Sequence, residues 1–266
     1  MTANLSFPDR HRPTRGIEHF YTDLHAAMYD LGDLDAAPFP TAREFKAHLA
    51  GRYAADMAGM RCLDAGCGGT AINGRSMIAA RARVCAVDLN QRSLDIARRS
   101  VAAGHAAALS FACASLLDLP FAGGTFDFAV CSGVVHHTPD PERALRELRR
   151  VMKPGARVYL SAYCFEGSVM HSVVRIWRAA ARVVPFRLMH RLFMRSAVVN
   201  NFVLDHMYVP ILWIYRAADF AQLLERSGFA VEQSWVSVLD RFHRRHLGAW
   251  SLTGDGLLRV FICRSA

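Results

Sequence analysis

The sequence predicts an α/β fold, doubly wound around a mostly parallel sheet, on three observations. Short β-branched or apolar runs alternate with helix-like segments from about residue 60. A glycine-rich turn, Gly66-Cys67-Gly68-Gly69, follows the first of those runs, and an acidic residue, Asp88, ends the second. Parallel neighbours need a crossover between them, so alternation of this kind puts helices on the faces of the sheet.

In chain order, strands are expected over 61–65, 83–88, 109–113, 126–131 and 156–163. Helices are expected over 72–81 and 91–103, the second opening on Asn90 as N-cap with Leu94, Ile96 and Ala97 turned inward. Another runs over 141–152, with Asp140 as cap and Pro141 in the first helical position, and it stops at the turn Lys153-Pro154-Gly155. Residues 165–216 break the rhythm and are too long for a loop. There Val173, Val174, Ile176, Trp177 and Ala180 alternate with Arg175, Arg178 and Arg182, the pattern of inserted helices that would form a lid. A helix over 217–227 closed by Gly228, then strands over 230–238 and 257–264, complete seven strands. The whole of 1–266 is expected to be one domain: an N-terminal helical lid (1–58), a core (59–164), the inserted lid (165–216) and a C-terminal helix with two strands (217–266).

Composition narrows the class. Hydrophobic residues make up 52% and charged residues 21%, enough apolar surface to form a core. The longest apolar candidate, 196–215, is interrupted by Asn200, Asn201, Asp205 and His206, so no transmembrane helix is expected. Asp9, Arg10, His11, Arg12 and Arg15 are followed by no apolar stretch of the secretory kind, and a cytoplasmic location is expected. Seven cysteines, an odd number without Cys-x-x-Cys spacing, read as reduced thiols, and His136-His137 has no partner at ligand spacing, so no metal is expected. The formal charge of +9 favours anionic partners, and the stretch from Glu166 to Arg216 alone holds seven arginines against two acids.

A glycine turn directly after a strand lets the backbone approach a ligand and aims the N–H groups of the next helix at an anion. Asp88, 22 positions after Gly66, ends the strand Val84-Cys85-Ala86-Val87 where a carboxylate can accept hydrogen bonds from two ribose hydroxyls; it can equally cap the following helix.

These residues also carry a resemblance. Leu63-Asp64-Ala65-Gly66-Cys67-Gly68-Gly69 resembles the first motif of class I S-adenosylmethionine (SAM)-dependent methyltransferases of the small-molecule type. Ala86-Val87-Asp88-Leu89, Asp118-Leu119-Pro120-Phe121, Thr125-Phe126-Asp127, Val134-Val135-His136-His137-Thr138-Pro139-Asp140-Pro141 and Leu148 to Gly155 follow in register, over about residues 60–163. The resemblance implies a Rossmann-like sheet with an antiparallel last strand and SAM as cofactor, left as S-adenosylhomocysteine. It implies that the turn Gly66, Cys67, Gly68 holds the methionine part and that Asp64 reaches its amino group. It further implies that Asp88 and Leu89 meet the ribose, that Ser115 and Leu116 flank the adenine, and that Cys131 and Ser132 lead to a loop bordering the sulfonium methyl. Thr70 stands where the family has its third glycine, and Ser115 where it often has an acid.

Methyl transfer from a sulfonium needs alignment and water exclusion, and a base only where the nucleophile must lose a proton. His136, His137 and Tyr163 are the catalytic candidates, with His137 ranked behind His136. Tyr21 and Tyr29 lie in a segment similar to the lid helix ahead of many family cores, and aromatic faces suit a sulfonium. The expected reaction is O-methylation of a small anionic or partly apolar acceptor, free or carrier-tethered. Nucleic acid is disfavoured because Cys131-Ser132-Gly133-Val134 stands in place of the Asn/Asp-Pro-Pro-aromatic motif. Other readings stay open: a SAM-using enzyme that cyclises or transfers the aminocarboxypropyl arm, a nicotinamide oxidoreductase, or a non-catalytic SAM-binding module. For the arginine-bearing insertion they are acceptor contact, a solvated face, or shallow contact with an anionic membrane or acidic carrier.

Overall fold

The computed structural model describes residues 40–52, 57–100, 108–193, 197–237 and 257–266. Tyr21, Tyr29 and most of the expected N-terminal lid lie outside the described residues. The elements are α1 (Pro40–Arg52), β1 (Arg61–Ala65), α2 (Ile72–Ala79), β2 (Arg83–Asp88), α3 (Gln91–Ser100), β3 (Leu109–Cys113) and β4 (Phe126–Ser132). A single 3-10 turn (Val135–His137) follows, then α4 (Pro141–Val151), β5 (Met152–Tyr163), α5 (Val169–Ala180), α6 (Phe186–Phe193), α7 (Ala197–Tyr208), α8 (Ala217–Arg226), β6 (Phe229–Val236) and β7 (Leu258–Ser265).

The seven strands form one Rossmann-like sheet in the order β3-β2-β1-β4-β5-β7-β6. β1 pairs in parallel with both β2 and β4, so the strand order reverses between them. In doubly wound sheets the crevice outside the carboxyl ends at such a reversal is the ligand site. β1 is buried from Cys62 to Ala65, as a central parallel strand covered on both faces requires. β7 runs antiparallel between β5 and β6. Leu63, Leu145, Leu160 and Phe220 pack on one face of the sheet. Phe45, Phe128, Tyr159 and Ile262 pack on the other, where the Phe45 and Tyr159 rings meet edge to face at 4.9 Å.

Local chemistry accounts for the helix starts. Asn90 Oδ1 accepts the N–H groups of Arg92 and Ser93 at 3.0 and 3.3 Å, and Asp140 Oδ1 accepts that of Arg143 at 3.0 Å. The sequence expectation differs from the structure at β5. Strand pairing begins at Met152, before Lys153-Pro154-Gly155, and the pairing slips between Phe126–Met152 and Phe128–Arg157. The expected turn is an exposed excursion within the strand, because Ala156 onward resumes the register that buries the core face.

α5, α6 and α7 form the inserted helices, and a small third core of Tyr163, Phe165, Met170, Val174, Val203 and Leu212 lies beneath them. The chain leaving α7 returns along the sheet end: Trp213 N–H donates to the His136 carbonyl at 2.9 Å and Tyr215 N–H to that of Tyr163 at 3.0 Å. The alternation expected in α5 needs correction. Arg178 is only 6% exposed and Ile176 is 67% exposed, because 170, 174 and 178 share the inward stripe and 176 does not. Among the described residues no helix is long and apolar enough to cross a membrane, and no group of three or more His, Cys, Asp and Glu side chains could hold a metal ion.

Candidate functional site

The glycine turn lies at the carboxyl end of β1, pinned to the end of β2. Gly66 and Cys67 both donate their N–H to the Val87 carbonyl, at 2.7 and 2.9 Å. Gly66 adopts φ +81, and a Cβ there would fall 2.4 Å from Val134 Cγ2. Only glycine fits a backbone with that angle under that neighbour. Thr70, in place of the family's third glycine, has no positive φ; the left-handed residue is Ala71, at φ 44, immediately before α2. The left-handed position therefore falls on Ala71 and leaves Thr70 an ordinary backbone.

Two carboxylates flank this turn. Asp88 Oδ2 accepts the Gly68 N–H at 2.8 Å and Oδ1 accepts the Asn90 N–H at 2.9 Å. Each oxygen accepts one of these N–H groups, and an ionised carboxylate has about four acceptor sites in all. Burial raises the Asp88 carboxyl, opposed by the N–H groups of Asn90, Gly68 and Leu89. Leu89 follows, half-buried. Asp64 is turned toward α2: its Oδ2 accepts the Gly74 N–H in the first helical turn at 2.7 Å. Burial pushes Asp64 up to about 7, with the Gly74 N–H opposing and the Asp88 charge adding. It anchors the helix below the turn.

Beyond β3, the Ala114 N–H donates to the Asp88 backbone carbonyl at 3.0 Å, which ties the loop after β3 to the end of β2. Ser115 Oγ accepts the Leu117 N–H at 3.1 Å, a local turn, and Leu116 is buried. At the end of β4, Ser132 Oγ lies 2.9 Å from Ser161 Oγ, linking β4 to β5. Burial pushes the Cys131 thiol up to about 12, with Asp64 adding, and raises Cys67 for the same first reason. Both remain thiols and pack as apolar groups.

His136, His137 and Tyr163 converge at the ends of β4 and β5, beneath the inserted helices. The His136 ring lies 4.2 Å from those of both His137 and Tyr163. His136 is fully buried with no hydrogen-bond partner on either ring nitrogen. Burial drives its pKa well below the usual histidine value; His137 and His206 add to this and Asp205 opposes it. His136 is a neutral ring. His137 differs: Nδ1 lies 3.0 Å from the Ile211 carbonyl and Nε2 lies 3.4 Å from Asp205 Oδ2. A carbonyl only accepts, so Nδ1 carries hydrogen and Nε2 is the nitrogen turned to Asp205. The Tyr163 hydroxyl donates to the same Asp205 oxygen at 3.0 Å. Burial and that carboxylate raise Tyr163 well above the usual phenol value. Of the two histidines, His137 has a carboxylate oxygen 3.4 Å from its ring and His136 has no hydrogen-bond partner.

The sequence reading placed Asp205, His206 and Arg178 in the insertion without a site role. Asp205 and His206 are buried on α7, with the His206 ring 4.4 Å from that of Tyr163. Arg178, from α5, donates to the carbonyls of His206 and Val209 at 3.3 and 3.0 Å and so closes the C-terminal end of α7. Burial lowers Arg178 to about 10, opposed by Asp205. An acid inside an otherwise acid-free run, 167–218, was the available signal. A separate open cleft of about 440 Å³, lined by residues including Asp140, Trp213, Asp219 and Arg226, contains none of these site residues.

Residues 63–160 match the family model described as "Methyltransferase domain". A ubiquinone biosynthesis O-methyltransferase from Aromatoleum aromaticum is 35% identical over 114 residues, which cover 40% of this chain and 45% of that protein. The chain thus spans about half the length of the curated relatives it matches. Among solved structures, magnesium protoporphyrin IX methyltransferase from Synechocystis, with bound S-adenosylhomocysteine, superposes with a TM-score of 0.63 at 15% identity, covering 96% of this chain and all (100%) of that one. The 1,6-didemethyltoxoflavin-N1-methyltransferase of Burkholderia thailandensis gives 0.57 at 18% identity, covering 100% of this chain and 93% of that one.

Proposed function

We propose that this chain, whose residues 63–160 match the methyltransferase domain model, is a class I SAM-dependent enzyme that transfers a methyl group from SAM to the oxygen of a small anionic or partly apolar acceptor. SAM, when bound, supplies an already activated methyl group. The residues fit such a ligand: Gly66 keeps the backbone open beneath Val134, and Asp88 presents two carboxylate oxygens with acceptor capacity to spare. In this reading Gly66, Cys67 and Gly68 hold the amino-acid part, Asp88 and Leu89 the ribose, and Ser115 and Leu116 the adenine. Asp64 supports the turn through α2, and Cys131 and Ser132 floor the methyl side.

The observation that carries the oxygen-acceptor reading is the convergence of His137 Nε2 and the Tyr163 hydroxyl on Asp205 Oδ2, at 3.4 and 3.0 Å. In this reading the acceptor's proton passes to the Asp205–His137 pair, while Nδ1 of His137 stays held by the Ile211 carbonyl. Where the ring holds that proton, the Asp205 carboxylate stabilises the imidazolium. Tyr163 orients that carboxylate, and neutral His136 fills the space between the two rings. The reading treats 1–266 as one domain whose insertion, 165–216, is the acceptor lid. Seven free cysteines are in keeping with a reducing, cytoplasmic setting.

Calorimetry with SAM and S-adenosylhomocysteine, followed by mass analysis of products from a panel of phenolic and carboxylic acceptors with methyl-labelled SAM, tests the proposal. The expected result is binding of both ligands and label in an oxygen-methylated product. Binding without methylated product across the panel, or label left in methylthioadenosine beside a cyclised or aminocarboxypropyl product, would overturn it.

A further inference from the structure

The inserted helices carry a second pattern that the catalytic reading does not use. Among the described residues, all five exposed large hydrophobic side chains lie here: Val169, Ile176, Val183, Leu188 and Leu192. Val169, Ile176 and Val183 recur every seven residues, which places them on one side of α5 and the turn after it. Leu188 and Leu192 recur at four on α6.

Each stripe has an arginine stripe at its side. Arg175 and Arg182 precede Ile176 and Val183, and Arg187 and Arg191 precede Leu188 and Leu192; all four arginines are exposed. From residue 167 to 204 there is no acidic residue to neutralise them. The inward face of α5 is separately satisfied by Met170, Val174 and the buried Arg178. The outward face is therefore not needed for the core.

We propose that this face of α5 and α6 docks on the surface of an anionic phospholipid bilayer. Exposed aliphatic side chains flanked by arginines, on helices too short to span, are what an interfacial helix requires: the apolar stripe enters the acyl boundary while the guanidinium groups pair with lipid phosphates. A nucleic acid would use the arginines but leave five aliphatic side chains in water. A second copy of the chain would bury the aliphatic stripe but bring like charges together. An anionic bilayer satisfies both halves of the pattern. Docking sets the outer side of the lid in lipid while its inner side stays over His137 and Asp205.

The test is co-sedimentation of the full chain with vesicles of phosphatidylcholine, with and without phosphatidylglycerol. The expected result is binding to the phosphatidylglycerol vesicles that weakens as salt is added, with little binding to phosphatidylcholine alone. Replacing Ile176, Leu188 and Leu192 together by Ser abolishes it. Each of Arg175→Gln, Arg182→Gln, Arg187→Gln and Arg191→Gln lowers it roughly fivefold. Unchanged thermal melting of the variants shows that they fold. Absence of binding to the anionic vesicles, binding indifferent to these substitutions, or a dimer in light scattering that the Ser variant dissociates would overturn the proposal.

Discussion

The Tyr163 hydroxyl donates to Asp205 Oδ2 across 3.0 Å, joining the last residue of a sheet strand to the interior of a lid helix. Both groups are buried, and His137 Nε2 lies 3.4 Å from the same oxygen. Removing the carboxylate strips a shared partner from two buried side chains. Asp205→Ala is expected to destabilise the fold by about 3–5 kcal/mol, and Tyr163→Phe by about 1.5–3 kcal/mol, both read from urea unfolding. The double variant should fall short of the sum, since the two changes remove one interaction.

Asp88 holds the glycine turn through Gly68 and opens α3 through Asn90. Asp88→Ala is expected to weaken S-adenosylhomocysteine binding by about 1–3 kcal/mol, measured by calorimetry. Wild-type affinity in that variant would remove Asp88 from the proposed ribose site.

Gly66 and Gly124 both have positive φ, +81 and +66, but a Cβ on Gly124 meets nothing within 4 Å while one on Gly66 meets Val134. Gly124→Ala is expected to cost about 1–2 kcal/mol for the backbone angle alone. Gly66→Ala adds overpacking of about 1–3 kcal/mol and loses S-adenosylhomocysteine binding. Val134→Ala in the same chain should recover part of that loss, as thermal melting and calorimetry would show.

The folded-state value of Asp64, about 7, stands above its ordinary 3.8. A carboxyl raised in this way favours folding most below 3.8, and that contribution is lost as pH rises through about 7, where a buried charge forms. Asp64→Asn keeps an acceptor for Gly74 but cannot ionise. Its melting temperature relative to the wild type should therefore rise between about pH 5 and pH 8, by a few degrees.

The sheet and its turn were legible because their signals are local. Apolar runs, the Asn90 and Asp140 caps, and Gly66 beside Asp88 all act within a few residues or across adjacent strands. What was not legible depends on distance along the chain. Asp205 is 42 residues from Tyr163, and nothing in either neighbourhood announces the other. Arg178 sits in a series with Arg175, Arg182, Arg187 and Arg191, which are exposed, and only the helix phase set by Met170 and Val174 separates it. The slip at β5 was hidden for a related reason: Lys153-Pro154-Gly155 reads as a terminator, while the pairing of Met152 with Phe126 comes from a partner strand.

The last of the described strands, Leu258–Ser265, sits between two that precede it. While the ribosome is still making that segment, Phe229–Val236 lacks the neighbour it pairs with among the described residues, as does the outer edge of Met152–Tyr163. Two sticky edges thus wait on one late insertion. That interval is when a holding chaperone would matter most to yield, and a nascent chain stalled within it is the form most prone to pair with its own copies.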